Sequence, residues 1–298
     1  MTNLPLITPG IPKVSMNVTT TFYGNIVNDI RIAKEAGFPG IELQSPKLYR
    51  YLNLGMSVEA LLPQLDGLAV TAVGALQEDE PETFTREAHK LAKLTAAFGA
   101  PMMQMCTGPV DPEVVKDFRA GRLADNDPRY RGALGRTDRE SLEHSASNTA
   151  IAADIAAEYG IGVCLEPLGW APVNSVKQAV QILEIIDRPN VAINVDFWHF
   201  YVAGDTPADI AALDAAQIAT VHVDDGIPVA PGEVPDQVHH RNVWTGGGVI
   251  PIQEWIDAVK STGFDGWYCS EIFCAKAAEL DFLEVARTLR STLEILLA

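Results

Sequence analysis

Four polar residues stand at or beside the ends of four short apolar runs: Glu166 in IGVCLE, Asp196 in VAINVD, His222 in IATVHV and Glu271 in GWYCSE. An ionised carboxylate withdrawn from water without a partner is costly, so such an end either faces solvent or is held by cations and donors. If these runs are successive strands meeting at one mouth, three carboxylates and one imidazole converge, and bare they repel one another. A divalent cation resolves that repulsion. Two Glu, one Asp and one His offer hard oxygens with a single nitrogen, a set that suits Mn²⁺, Mg²⁺ or Co²⁺ and is compatible with Zn²⁺. The expectation is one divalent ion, Mn²⁺ first, on Glu166, Asp196, His222 and Glu271.

Such a convergence needs strands, and the chain supplies them. Short apolar runs alternate with longer amphipathic stretches, the pattern of repeated βα units. Eight runs read as strands: 13–18, 39–43, 69–76, 101–106, 161–166, 191–196, 218–223 and 266–271. Asn25 and Asn174 are placed as helix N-caps, and Gly37, Gly99, Gly160 and Gly263 follow helical stretches as stops. The stretch from Asp138 to Tyr159 carries apolar or Ala residues at helical spacing and predicts a long outer helix. KEAGFPGIELQ (34–44) and KSTGFDGWYCSE (260–271) share a helix stop, a Gly-led strand and a terminal carboxylate, a faint internal repeat. Together these features predict one domain over 1–298, an α/β chain folded as a single (β/α)8 TIM barrel with its active site at the C-terminal ends of the strands. Two connections, about 107–136 and 224–250, are too long for plain turns and are expected to cover the site.

Side chains alternate faces along a strand, so Cys164, Asn194, Thr220 and Cys269 share a face with Glu166, Asp196, His222 and Glu271 respectively. Cys164 and Cys269 are expected to pack in the core, His89 and His144 to lie on helix faces, and His239 and His240 to sit on the second loop.

Composition narrows the partners. Of 298 residues 47% are hydrophobic and 20% charged, an ordinary globular balance able to bury a core. Lys and Arg number 22 against 39 Asp and Glu, leaving a formal charge of −17. That field repels a phosphate backbone and offers no basic patch to nucleic acid or anionic lipid. Four cysteines without a CxxC pair read as reduced thiols. The N-terminal stretch MTNLPLITPGIPK has neither a charged segment followed by an apolar core nor the length of a membrane span, so a cytoplasmic protein is expected.

The segments EPLGW, NVDFWH, VHVDD and SEIF resemble those of the xylose isomerase-like TIM barrel superfamily, the sugar phosphate isomerase and epimerase group, across nearly the whole chain. The resemblance implies Glu166, Asp196, His222 and Glu271 as metal ligands at the ends of strands five to eight. It also implies His199, three residues after Asp196, and Arg241, in the loop after strand seven, as substrate contacts. The activity implied is a metal-dependent sugar, sugar-phosphate or keto-polyol isomerase or epimerase, in which Glu166 and Glu271 double as acid and base and move one proton through a metal-stabilised enediolate. Glu42 and Gln104 are placed as hydroxyl contacts, Asp224 as a brace or substrate contact, and Trp170, Trp198 and Trp244 as apolar walls. Arg129, Arg131 and Arg136 either hold a phosphate with Arg241 or ion-pair with an acidic surface. A homo-oligomer is common in the resembling family, though no residue pattern here specifies one.

Three alternatives share parts of this pattern. A dehydratase or lyase uses the same site to eliminate a group β to the carbonyl, and Pro172, six residues after Glu166 where a ketose epimerase is expected to carry a second acidic contact, keeps that reading open. An endonuclease IV-like phosphodiesterase shares Asp-x-x-His, but the ends of strands three and four offer Gly74, Ala75 and Gln104 in place of further histidines. A non-catalytic sugar-binding barrel is opposed by the intact ligand set.

Overall fold

The computed structural model describes residues 13–124, 127, 129 and 133–298. Arg131 and most of the N-terminal stretch discussed above lie outside these residues. Eight parallel strands close into a barrel in chain order: β1 (Val14–Asn17), β2 (Gly40–Gln44), β3 (Ala69–Gln77), β4 (Met102–Cys106), β5 (Gly162–Glu166), β6 (Val191–Asp196), β7 (Ile218–Val223) and β8 (Trp267–Ser270). Each expected strand is present, with its ends shifted by no more than two residues; Glu271 falls one residue past β8. The strands read as near-continuous apolar runs because helices cover their outer faces while side chains fill the interior.

Outside the strands, the longest helix runs Asp138–Glu158 and begins with a capping box between Thr137 and Glu140. Asn25 caps the helix Ile26–Ala36 as expected, accepting a bond from the Asn28 N–H, and Gly37 closes it at a φ of 82°. Asn174 does not cap its helix. Ser175 does, in a box with Gln178. The two long connections are not irregular throughout: the first holds a helix, Pro112–Arg119, and the second a short one, Gln237–His240.

The two faces of the strands differ in character. Val14, Met16, Ile41, Val163 and Ile193 are buried apolar residues on the face turned to the helices. The inward face carries Ser15, Cys164, Thr220 and Cys269 and, toward the C-terminal mouth, the buried polar residues Asn17, Glu42, Glu166, Asn194, Asp196 and His222. Register brings some of these together directly, since Asp196 pairs with His222 across β6 and β7. All four cysteines are buried and free. Among the described residues no helix is long and apolar enough to cross a membrane.

Candidate active site

Asp196 explains why an Asp-x-x-His element sits at a strand end. It ends β6 and simultaneously caps the helix Phe197–Ala203, its Oδ1 accepting the His199 N–H at 2.8 Å. Only one oxygen is used in that cap. Oδ2 is buried and has no hydrogen-bond partner. It stands 3.5 Å from Nδ1 of His222, itself a buried atom with no hydrogen bond.

His222 Nδ1 faces two further carboxylates, Glu166 Oε1 at 3.3 Å and Glu271 Oε2 at 3.5 Å. The other ring nitrogen, Nε2, is 3.0 Å from Glu42 Oε2 and donates to it. Burial opposes charge on this imidazole, but Glu42, Glu271, Asp196 and Glu166 outweigh it and raise its pKa well above the usual range. Glu271 moves the opposite way: burial disfavours its anion, yet Arg241 and His222 hold its pKa below the ordinary value.

Each carboxylate is aimed by neighbours. Glu166 accepts from Asn194 Nδ2 at 2.7 Å on Oε1, and from Gln104 Nε2 at 2.8 Å and Cys106 Sγ at 3.1 Å on Oε2. Asn17 Nδ2 bridges Glu42 Oε1 at 2.8 Å and Glu271 Oε1 at 3.2 Å. Arg241 is buried, bonded through Nη2 to Asp224 and, at 2.5 Å, to Glu271 Oε2. Its guanidinium lies 5.3 Å from the Trp198 ring and 4.3 Å from that of Phe273. Asp224 also accepts the Trp198 N–H at 3.0 Å.

The arrangement fits a divalent cation. Donors at tetrahedral angles and bond lengths of about 2.0–2.2 Å lie roughly 3.4 Å apart, close to the spacing of the three oxygens from Nδ1. Five buried carboxylates, Glu42, Glu166, Asp196, Asp224 and Glu271, face one guanidinium and one imidazole. With Nε2–H committed to Glu42, Nδ1 is the ring nitrogen turned toward the three oxygens, where a bound cation would displace its proton.

A cavity of about 590 Å³ opens onto this cluster. Glu166, Glu271, His199, Gln104, Trp170 and Arg241 line it. Burial lowers the pKa of His199 and keeps it neutral. Its Nδ1 accepts the Gly169 N–H at 3.0 Å, which leaves the proton on Nε2. Glu42, Asp224 and Trp198 are not cavity-lining: they stand behind His222, behind Arg241 and beneath Arg241. Trp244 packs against Ile272 and its buried neighbours instead of the site. His240 is buried, its Nδ1 accepting from the Asp236 N–H. Arg129 pairs with Asp117 and Asp127. Sequence reasoning does not single out Asn17 or Cys106, although the polar end of VSMN is visible there.

A family model described as the xylose isomerase-like TIM barrel matches residues 30–292. The chain belongs to the xylose isomerase-like TIM barrel family. It is 30% identical over 141 residues to a protein named inosose isomerase from Halalkalibacterium halodurans, covering 47% of this chain and 49% of that one. The chain thus matches about half the length of the curated relatives it resembles. A solved IolI protein carrying a zinc atom superposes with a TM-score of 0.80 at 22% identity, covering 96% of this chain and 98% of its own. A D-psicose 3-epimerase from Clostridium cellulolyticum H10, solved with D-tagatose, superposes at 0.68 and 15% identity, covering 96% and 99%. At these identities the two structures establish the shared barrel.

Proposed function

We propose that this protein is a divalent-metal-dependent isomerase or epimerase acting on an unphosphorylated ring ketone of the sugar or keto-polyol class. The observation that carries the reading is His222 Nδ1 facing the oxygens of Glu166, Asp196 and Glu271 at 3.3–3.5 Å beside a cavity that admits a sugar ring. These four residues would hold the ion. Mn²⁺ is the expected occupant, while the zinc reported in the IolI neighbour makes Zn²⁺ the first alternative. Bound there, the ion supplies Lewis-acid polarisation of the substrate carbonyl and so acidifies the adjacent C–H.

The chain's own residues do the rest. Glu166 and Glu271 both line the cavity, and each is fixed by donors on both oxygens, so either takes or returns a proton at a defined position. One removes the proton beside the carbonyl and the other delivers one to the neighbouring carbon or to the opposite face. His199 presents a neutral Nε2–H as a donor to a substrate oxygen. Gln104 and the indole of Trp170, anchored by its Nε1–H to Pro109 O at 2.8 Å, bound the ring.

Carboxylates Asp79, Glu87, Glu166 and Glu271 line the cavity, and Arg241 is its one Lys or Arg among the described residues. With Arg241 already engaged by Asp224 and Glu271, a phosphate meets no unshared cation among the described lining residues. The curated relatives' name, inosose isomerase, points to the same uncharged substrates.

The test combines bound metal per chain, measured by elemental analysis of wild type and a Glu166→Gln, Glu271→Gln double variant, with solvent deuterium exchange into a panel of keto sugars and inososes. Stoichiometric metal that is lost in the variant, with exchange at a carbon beside a carbonyl, is expected. Neither protein binding metal after Mn²⁺ or Zn²⁺ is added sinks the reading. Loss of a β substituent from an exchanging substrate would assign the elimination branch instead.

A further inference from the structure

The cavity is larger than a single ring needs. A six-membered sugar of about a dozen heavy atoms fills on the order of 200 Å³ at interior packing density, against about 590 Å³ here.

The excess lies on one side. Closure in chain order sets β2 and β3 across the barrel from β6 and β7. Glu166, His199 and Glu271 bound the cavity at one end; Tyr49, Phe84 and Leu91, from the helices after β2 and β3, bound it at the other. Gln104 stands between, its Nε2 on Glu166 and its side chain flat against Gly74 of β3. A Cβ at Gly74 would meet Gln104 Cδ at 3.0 Å and its Cβ at 3.1 Å. The glycine therefore lets the divider lie low and keeps the two ends continuous.

We infer that the β2–β3 end is a second subsite for an uncharged, hydroxyl-bearing ring attached to the keto sugar, so that the preferred substrate is a keto-glycoside. This inference rests on the reading above and extends it. The wall chemistry is that of a neutral ring: the Tyr49 aromatic face and the amides of Gln44 and Gln77, backed by the buried apolar side chains of Phe84 and Leu91. Tyr49 is held in place by Lys90, whose Nζ is 3.8 Å from the ring centroid and 3.6 Å from Glu87 Oε2. Burial and the Glu87 charge push its phenol up to about 12, so it remains a donor at neutral pH. No Lys or Arg lines this end among the described residues.

The experiment titrates the Mn²⁺-loaded protein calorimetrically with 3-keto-glucose, its phenyl glycoside and a 3-keto-glucosyl-glucose disaccharide, and follows deuterium exchange into each. At least one two-ring probe is expected to bind tenfold or more tightly than the single ring; the phenyl and disaccharide arms distinguish an aromatic from a sugar occupant. Ala75→Trp, which fills the subsite from β3, and Tyr49→Ala, which removes its aromatic wall, should each cut that preference to below threefold. Melting curves check that the variants fold, and Tyr49→Ala carries the test if the Trp variant does not. Two-ring probes that bind no better than a single ring that binds and exchanges overturn the subsite and leave the proposed function standing. No binding and no exchange with any probe overturns both.

Discussion

His222 donates its Nε2 proton to Glu42 Oε2 at 3.0 Å, while its Nδ1 faces three other carboxylates. Glu42 thereby selects the imidazole nitrogen that is left for a cation, from a strand on the far side of the barrel. Its second oxygen accepts from Asn17. An amide cannot accept from both donors through separate atoms, so Glu42→Gln either leaves His222 or Asn17 unpaired in a buried site or donates to Nε2 and moves the imidazole proton to Nδ1, the nitrogen that faces the cluster. Metal affinity should fall about 10- to 100-fold, the usual cost of losing the partner that orients a ligating histidine. A competition titration against a chromophoric chelator reads this directly, and an unchanged Kd would show that Glu42 does not set the tautomer.

The two oxygens of Asp196 have separable work. Oδ1 caps a helix and Oδ2 faces the cluster without a hydrogen bond. Asn caps about as well as Asp, so Asp196→Asn should bind no metal yet melt close to the metal-free wild type. Asp196→Ala loses the cap as well and should be less stable than Asp196→Asn by about 1 kcal/mol. Equal stability of the two variants in denaturant would count against the cap.

Arg241 is the counter-ion for Asp224 and Glu271, buried between Trp198 and Phe273. Arg241→Ala leaves two buried carboxylates without their shared cation and should cost about 3–5 kcal/mol in metal-free protein. Adding Asp224→Asn removes one of those charges, while the amide oxygen it introduces can still accept the Trp198 N–H. The double variant should therefore recover a substantial part of the loss. A double variant as unstable as the sum of its parts would mean that the cost of Arg241→Ala is lost packing against the aromatic rings.

What was legible in the sequence, and what was not, divides along the same physical line. The eight strands and the four residues at their ends were readable because apolar runs and their terminal polar residues are local. The partners that aim those residues were not: Asn17 and Cys106 go unnamed and Glu42 is read as a hydroxyl contact, because all three reach the cluster by closure of the barrel, across sequence separations that no periodicity reports. The misplaced cap had a local signal: Ser175 precedes Gln178 by the three positions of a capping box, whereas Asn174 does not. The helices inside the two long connections escaped because Pro and Gly mark these segments as loops, and their order depends on contacts between them, such as Lys116 on Asp236.

One of those connections leans on a buried acid outside the cluster. Glu78, just past β3, accepts the Gly108 N–H at 3.0 Å and so ties β3 to the loop carrying Pro109, whose carbonyl holds Trp170. Burial raises its pKa from 4.5 to about 7, against the opposing effects of Ser145 and the Gly108 N–H. The folded state therefore keeps a proton that the unfolded chain has already released between those two values. The stabilisation is complete below pH 4.5 and is lost as pH rises through 7, by an amount of roughly 3 kcal/mol. Glu78→Gln carries no titrating group, so its stability relative to wild type should improve by about that much from pH 4.5 to pH 8. Urea denaturation of both proteins at the two pH values supplies the comparison, and the difference cancels all other titrations. A gap that stays constant with pH would mean that Glu78 titrates alike in the folded and unfolded chain, and would count against its burial beneath the loop over the site.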